Sequence, residues 1–286
     1  MTGPVLLSLG YGYSARWLAA SLPEHWCVIG TTRSPAKAAE MRASGIRPVD
    51  WADPGAVAAA IASADHVLVS MPPDAGGDPA LARHRADLLA ASPRSVGYLS
   101  TTGVYGDRAG GWVDETDPLR PVNARSAWRM AAEQAWSETG LPVTLFRLAG
   151  IYGPGRSAFD RLRAGTAQRV VKPGQVFSRI HVEDIALALR AAMDRPSRGQ
   201  IYNLADDEPA PPQDVIAFAA GLLNLPVPPA IAFEEAELSP MARSFYAESK
   251  RVSNARAKRE LGWQPRYPTY RDGLRAILAR DSPRAG

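Results

Sequence analysis

Short, almost wholly apolar runs alternate with segments of helical period through the first two thirds of the chain. No other feature constrains the fold as strongly. VLLSLG (5–10), CVIGTTR (27–33), RPVDW (47–51), HVLVSM (66–71), SVGYLSTTGVYG (95–106), PVTLFRLAGIYG (142–153) and QIYNLA (200–205) read as strands. Helix signals fall between them at 14–21, 53–64, 79–91, within 121–136 and at 183–195. One more follows the second strand, with Ser34 as N-cap, Pro35 at its first position and Gly45 past its end. Strands without a polar face are buried on both sides, and helical crossovers make their neighbours parallel. The alternation therefore predicts an α/β fold: a doubly wound parallel sheet covered on both faces.

After residue 205 the texture changes. EPAPP (208–212) and NLPVPPAIAF (224–233) are proline-rich and flank a helix at 213–223. We expect residues 1–205 to form the sheet domain and 206–286 a small C-terminal lobe with closing helices, with segment 153–178 contributing to the lobe. At 286 residues and 46% hydrophobic, the chain can build one large core or two modest ones. Its formal charge of +4 is spread without long basic runs, which argues against nucleic acid as a partner. Cys27 is the only cysteine, so an internal disulfide is excluded and a reducing, cytoplasmic setting is expected. The N-terminal run MTGPVLLSLG lacks a basic leader and reads as a buried strand, not a signal peptide. No window suits a bilayer span. Four histidines and one cysteine show no ligand cluster, so no metal is expected.

GYGYSA (10–15) follows a strand and opens a helix, the context that a dinucleotide fingerprint requires. Gly10 allows the tight turn, Gly12 lets the backbone approach a pyrophosphate, and Ala15 takes the helix-packing position. With Tyr13 and Ser14 they place the start of the helix against the phosphates. An NAD site calls for a carboxylate near the end of the second strand, to hold the ribose 2′-hydroxyl. Here that strand ends Thr31-Thr32-Arg33-Ser34. Arg33, flanked by Thr32 and Ser34, suits a 2′-phosphate instead, and NADP is expected ahead of NAD. Asp53 either lies near the adenine or caps a helix.

The runs GYGYSA, LSTTGVYGD (99–107), RLAGIYGPGR (147–156), HVEDIA (181–186) and SKRVSNARAKRELGWQPRYPTYRDGL (249–274) occur in this order. Together they resemble the NAD(P)-dependent epimerase/dehydratase family, the extended short-chain dehydrogenase/reductases, in an atypical branch. The resemblance implies a seven-stranded Rossmann sheet, a small C-terminal substrate lobe, a sugar-derived or related alcohol or ketone substrate, and in many members a homodimer. It also implies that Ser70, Met71 and Pro72 border the cofactor riboses, that Thr101 is the catalytic Ser/Thr, and that Gly150 and Ile151 lie beside the nicotinamide.

In that family the helix after the fifth strand carries a tyrosine, three residues and a lysine. In PVNARSAWRMAAEQAW (121–136) these positions hold Arg125 and Arg129. No tyrosine stands between Tyr105 and Tyr152 and no lysine between Lys37 and Lys172, so no shift of alignment restores the pair. Arginine stays protonated and cannot shuttle a proton. Arg129 can still hold a ribose, and Arg125 suits an anionic substrate group. The other reading of the pair is a solvated stripe in which Glu133 bonds Arg129 at i,i+4. Tyr152 joins Thr101 as a replacement proton donor, alongside an ordered water. Tyr105 is read chiefly as packing, His181 as a strand-end residue, and Trp128 and Trp136 as core or dimer face. Two functions follow: an NADP-dependent oxidoreductase or epimerase with a non-standard acid, or a non-catalytic NAD(P)-binding sensor or partner-binding protein.

Overall fold

In a computed structural model, which describes residues 3–196 and 198–281, seven strands form one parallel sheet. They are β1 (Val5–Leu9), β2 (Cys27–Thr32), β3 (Arg47–Asp50), β4 (His66–Val69), β5 (Ser95–Thr101), β6 (Val143–Leu148) and β7 (Gln200–Leu204). Across the sheet they run β7-β6-β5-β4-β1-β2-β3. The connecting helices are α1 (Tyr13–Ser21), α2 (Pro35–Ala43), α3 (Pro54–Ala62), α4 (Pro79–Ala91), α5 (Ala124–Ser137), α6 (Ala158–Arg163) and α7 (Val182–Met193). Strand residues alternate between two cores. Leu6, Val28, Leu68, Leu99 and Phe146 pack with Leu18, Met41, Ile185 and Leu189 on one face. Leu7, Ile29, Val67, Tyr98 and Leu145 pack with Val57, Ile61, Leu88 and Trp136 on the other. Each large apolar side chain so buried contributes about 1.5–3 kcal/mol, which is why apolar residues dominate both sides of the strands.

The chain leaves β1 toward β2 on one side and returns to β4 on the other. This reversal opens a crevice beyond the carboxyl ends of β1 and β4, where α/β sheets of this winding take ligands. Among the described residues no helix is long and apolar enough to cross a membrane.

Two strand readings need correction. The run 142–153 is not one strand: β6 ends at Leu148, Ala149 N still donates to Leu204 O (3.0 Å), and Gly150–Tyr152 then leaves the sheet to pair with Arg179–His181. A two-residue period cannot reveal a change of partner. The run 95–106 is strand only to Thr101; Thr102–Tyr105 form a 3₁₀ turn in which Thr101 Oγ1 accepts from Gly103 N (3.1 Å). Residues 1–2 of the expected first strand segment and 282–286 of the expected lobe lie outside the described residues.

Among the described residues, four further helices follow β7: α8 (Pro212–Leu222), α9 (Pro240–Phe245), α10 (Ala255–Leu261) and α11 (Tyr270–Asp281). A third apolar cluster joins Tyr152 and Phe159 to Ile216, Tyr270, Leu274 and Ile277. Trp112–Val113 pairs with Arg251–Val252, which lays segment 248–252 along 106–113. The start of α7 is also latched from the C-terminal side. Trp263 Nε1 donates to Asp184 O (3.0 Å), while the amides of Arg266 (2.5 Å) and Tyr267 (3.2 Å) donate to the Asp184 carboxylate. Asp184 is fully buried, so these amides replace the water it has lost.

Candidate cofactor and substrate cleft

Gly10 turns the chain at the end of β1 with φ +87°, and a Cβ there would lie 2.6 Å from Met71 Cγ. Its amide donates to Thr31 Oγ1 (2.7 Å), and its carbonyl accepts from Ser8 Oγ (2.9 Å) and from Ser70 Oγ. The β4 end, Ser70-Met71-Pro72, therefore abuts the glycine loop. Gly12 sits at the N-cap of α1 without a side-chain cap, and the first turn holds no acid. Helices α2 to α5 are capped by Ser34, Asp53, Asp78 and Asn123. Helix α1 thus keeps unsatisfied amides at its positive end, which suits a phosphate. Ser14 and Ala15 are buried beneath it. Tyr13 donates to Pro154 O (2.9 Å) and ties the loop after Gly150 and Ile151 to the start of α1.

At the end of β2, Thr32 Oγ1 accepts from Ser34 N (3.1 Å) and Ser34 Oγ from Lys37 N (3.3 Å). Arg33 is exposed and has no partner among the described residues. Asp53 takes the capping role, accepting from Ala56 N at 2.9 Å. These residues fit a dinucleotide, with a free guanidinium where a carboxylate would hold NAD.

On α5 the arginines divide. Exposed Arg125 donates to Ser244 Oγ (3.3 Å) and so reaches α9 across the cleft. Arg129 turns inward, donating to Leu99 O (2.6 Å) and Tyr98 Oη (3.1 Å), with its guanidinium carbon 5.5 Å from the Tyr98 ring centre. The Arg129–Glu133 pair of the alternative reading does not form. Glu133 lies on the buried stripe of α5 and pairs with Arg147 on β6 (2.7 Å). Ser100 donates to Glu133, Arg147 to Tyr105 Oη (3.0 Å), and Tyr105 to Asn203 Oδ1 (2.8 Å). The i,i+4 rule sees only one helix, whereas β6 passes closer to Glu133. Tyr105 therefore serves this network beneath Thr101.

Thr101 is half-buried at the end of β5. A Cβ on Gly103 would stand 2.7 Å from Ser126 Oγ and 3.3 Å from Thr101 Oγ1, so Ser126 shares this corner. Tyr152 does not turn toward it: its ring packs on His181 (5.1 Å) and its hydroxyl faces Thr269 O at 3.5 Å. A Cβ on Gly273 would collide with that hydroxyl. Burial pushes the Tyr152 hydroxyl far up, Asp206 and Asp184 push it further, and the Arg179 guanidinium offsets this only in part. His181 caps α7 through Nδ1, and burial pulls it down to about 4, so its ring is neutral.

Sequence reasoning missed Ser126 and two residues brought from the C-terminal side. Glu248 accepts from Asn123 Nδ2 (3.3 Å) at the N-cap of α5. Lys250, buried, donates to Gly106 O (2.9 Å) and pairs with Glu248. The pairing of 251–252 with 112–113, with Ser249 held by Asp107, Arg108 and Gly110, brings them here, and the local sequence does not signal it.

The model of the NAD dependent epimerase/dehydratase family matches residues 10–205. The chain belongs to this family. A protein of unknown function from Silicibacter pomeroyi has the same architecture at 54% identity, with a TM-score of 0.92 over 97% of this chain and 99% of that one. The UDP-glucuronic acid 4-epimerase of Bacillus cereus, solved with NAD, shares the fold at 17% identity, with a TM-score of 0.74 over 97% and 96% of the two chains. A 3-diazoavenalumate denitrifying reductase from a Streptomyces species is 30% identical over 176 residues, 57% of this chain. That match spans only 55% of the reductase's length.

Proposed function

We propose that the protein is an NADP(H)-dependent oxidoreductase or epimerase acting on a small anionic or sugar-derived alcohol or ketone, with a proton donor other than tyrosine. The observation that carries this reading is the uncapped start of α1 behind Gly10, with unpartnered Arg33 at the end of β2. The amides of Gly12, Tyr13 and Ser14 take the pyrophosphate. Arg33, with Thr32 and Ser34, takes the 2′-phosphate through its planar fork. Ser70, Met71 and Pro72 line the riboses, and Gly150 and Ile151 border the nicotinamide. The bound cofactor supplies or accepts the hydride. Thr101 Oγ1 already accepts from Gly103 N, so its hydrogen is free to meet a substrate oxygen. Arg125, at the rim, holds an anionic group. The reductase named among the relatives supports the reaction class.

Fluorescence titration with NADPH and NADH tests the cofactor reading. NADPH is expected to bind more tightly. Arg33→Ala removes a charged hydrogen bond of roughly 1.5–3 kcal/mol and narrows the preference to little or none. Equal affinity of the parent protein for both cofactors would overturn the assignment. Loss of turnover in Thr101→Val, with NADPH affinity kept, is expected once a substrate is found.

A further inference from the structure

Arg179 lies on the strand that pairs with Gly150–Tyr152. Its Nη1 donates to Phe177 O and Ala210 O, both at 2.9 Å. Its Nε and Nη2 have no partner among the described residues, and the side chain is half-buried. One corner of the guanidinium is thus pinned by main chain while an edge with two donors stays free, the geometry that meets a carboxylate or a tetrahedral oxyanion bidentately. The surroundings suit such a group. Arg179 and Arg161 both act electrostatically on Tyr246. The Tyr246 ring packs between Phe177 (5.6 Å) and Phe233 (5.0 Å), and Lys172 Nζ stands 5.3 Å from the Phe233 ring centre.

Behind Arg179 lies a carboxylate without a partner. Asp206 is 1% exposed, its amide donates to Arg179 O (2.6 Å), and neither carboxylate oxygen finds a hydrogen bond. Arg179 is the cation acting most strongly on it, and no ion pair closes between them. The other groups facing it are acids or phenols: Tyr152, Asp207, Glu208 and, beside Arg179, Tyr270, whose hydroxyl is also buried and unpartnered. Asp207 is taken by Lys258 and Asn254, and Glu208 by Arg271.

We propose that Arg179 is a second anion anchor, deeper than Arg125 on the substrate side of the cleft, and that Asp206 is its internal competitor. This rests on the reading that the substrate is anionic. Burial pushes the Asp206 carboxyl up to about 8, so it is neutral at pH 7 and leaves the whole charge of Arg179 to the ligand. Once ionised, it competes for that charge. The competent fraction then falls, and apparent affinity at pH 9 is about tenfold weaker than at pH 7.

Calorimetric titration with malonate and with sulfate separates a carboxylate from a tetrahedral ligand, since both keep a constant charge from pH 7 to 9. Saturating NADP⁺ fills the glycine loop. At least one anion is expected to bind at pH 7 and to weaken about tenfold by pH 9. Arg179→Gln should lose at least tenfold, Arg179→Lys less, with NADP⁺ affinity unchanged in both. Asp206→Asn should bind equally at pH 7 and 9. Failure of both anions to bind, parental affinity in Arg179→Gln, or a persisting pH dependence in Asp206→Asn would overturn the proposal. NADP⁺ titration without anion judges the cofactor reading separately, since neither Arg179 nor Asp206 adjoins the glycine loop.

Discussion

Glu133 and Asp206 are both buried carboxylates, and their partners make them opposites. Glu133 is matched by Arg147, so removing it strands a buried cation. Glu133→Ala is expected to cost about 3–5 kcal/mol in urea unfolding, with Glu133→Gln milder because the amide still accepts from Arg147. Asp206 is unmatched. Its carboxyl titrates near 8 in the folded chain and near 3.9 when unfolded. Between those values the folded state holds a proton that the unfolded state has lost, so this group's contribution makes stability fall as pH rises. Asp206→Asn removes that slope. Its advantage over the parent should grow from about pH 4 to pH 8 and then level off, as read from melting temperatures across pH. Neither behaviour was legible in the sequence. Glu133 looked like half of a surface pair and Asp206 carried no signal of its own, because burial is decided by elements far away in the chain.

At the scale of elements, the punctuation of helices was largely legible. Ser34 and Pro35 begin α2, and the GYGYSA turn begins α1. What the motif could not convey is how α1 differs from its neighbours: it alone among α1 to α5 lacks a side-chain cap. Gly12 has extended backbone angles (φ −99°, ψ −162°), and a Cβ there meets nothing within 4 Å. Gly12→Asp is therefore sterically tolerated and places a carboxylate on the free amides. It should leave the ligand-free protein as stable or up to about 1 kcal/mol more so. It should also abolish NADPH binding, since charge and cap then occupy the phosphate position. Parallel melting curves and NADPH titrations check both halves. The α5 helix was legible, but the directions of its arginines were not. Arg125 and Arg129 sit one turn apart, yet one reaches α9 and the other is held by β5.

At the scale of the whole molecule, all seven sheet strands were foreseen, most of them because burial on both faces leaves an apolar run. The partner change after Leu148 and the C-terminal contributions of Glu248 and Lys250 were not, since they depend on distant segments meeting. The latch on Asp184 is of that kind, and it bears on synthesis. The last sheet strand ends at Leu204, but the amides that satisfy Asp184 belong to Arg266 and Tyr267. On a ribosome adding about 5–20 residues per second, that gap lasts roughly 3–12 s. During it, a nascent chain with a finished sheet still carries an exposed seam along α7, a natural station for a chaperone. Chains arrested just after Leu204 should stay protease-sensitive even once outside the exit tunnel, and chains arrested well beyond Tyr267 should be resistant. Equal resistance at both lengths would mean that the sheet closes without its latch.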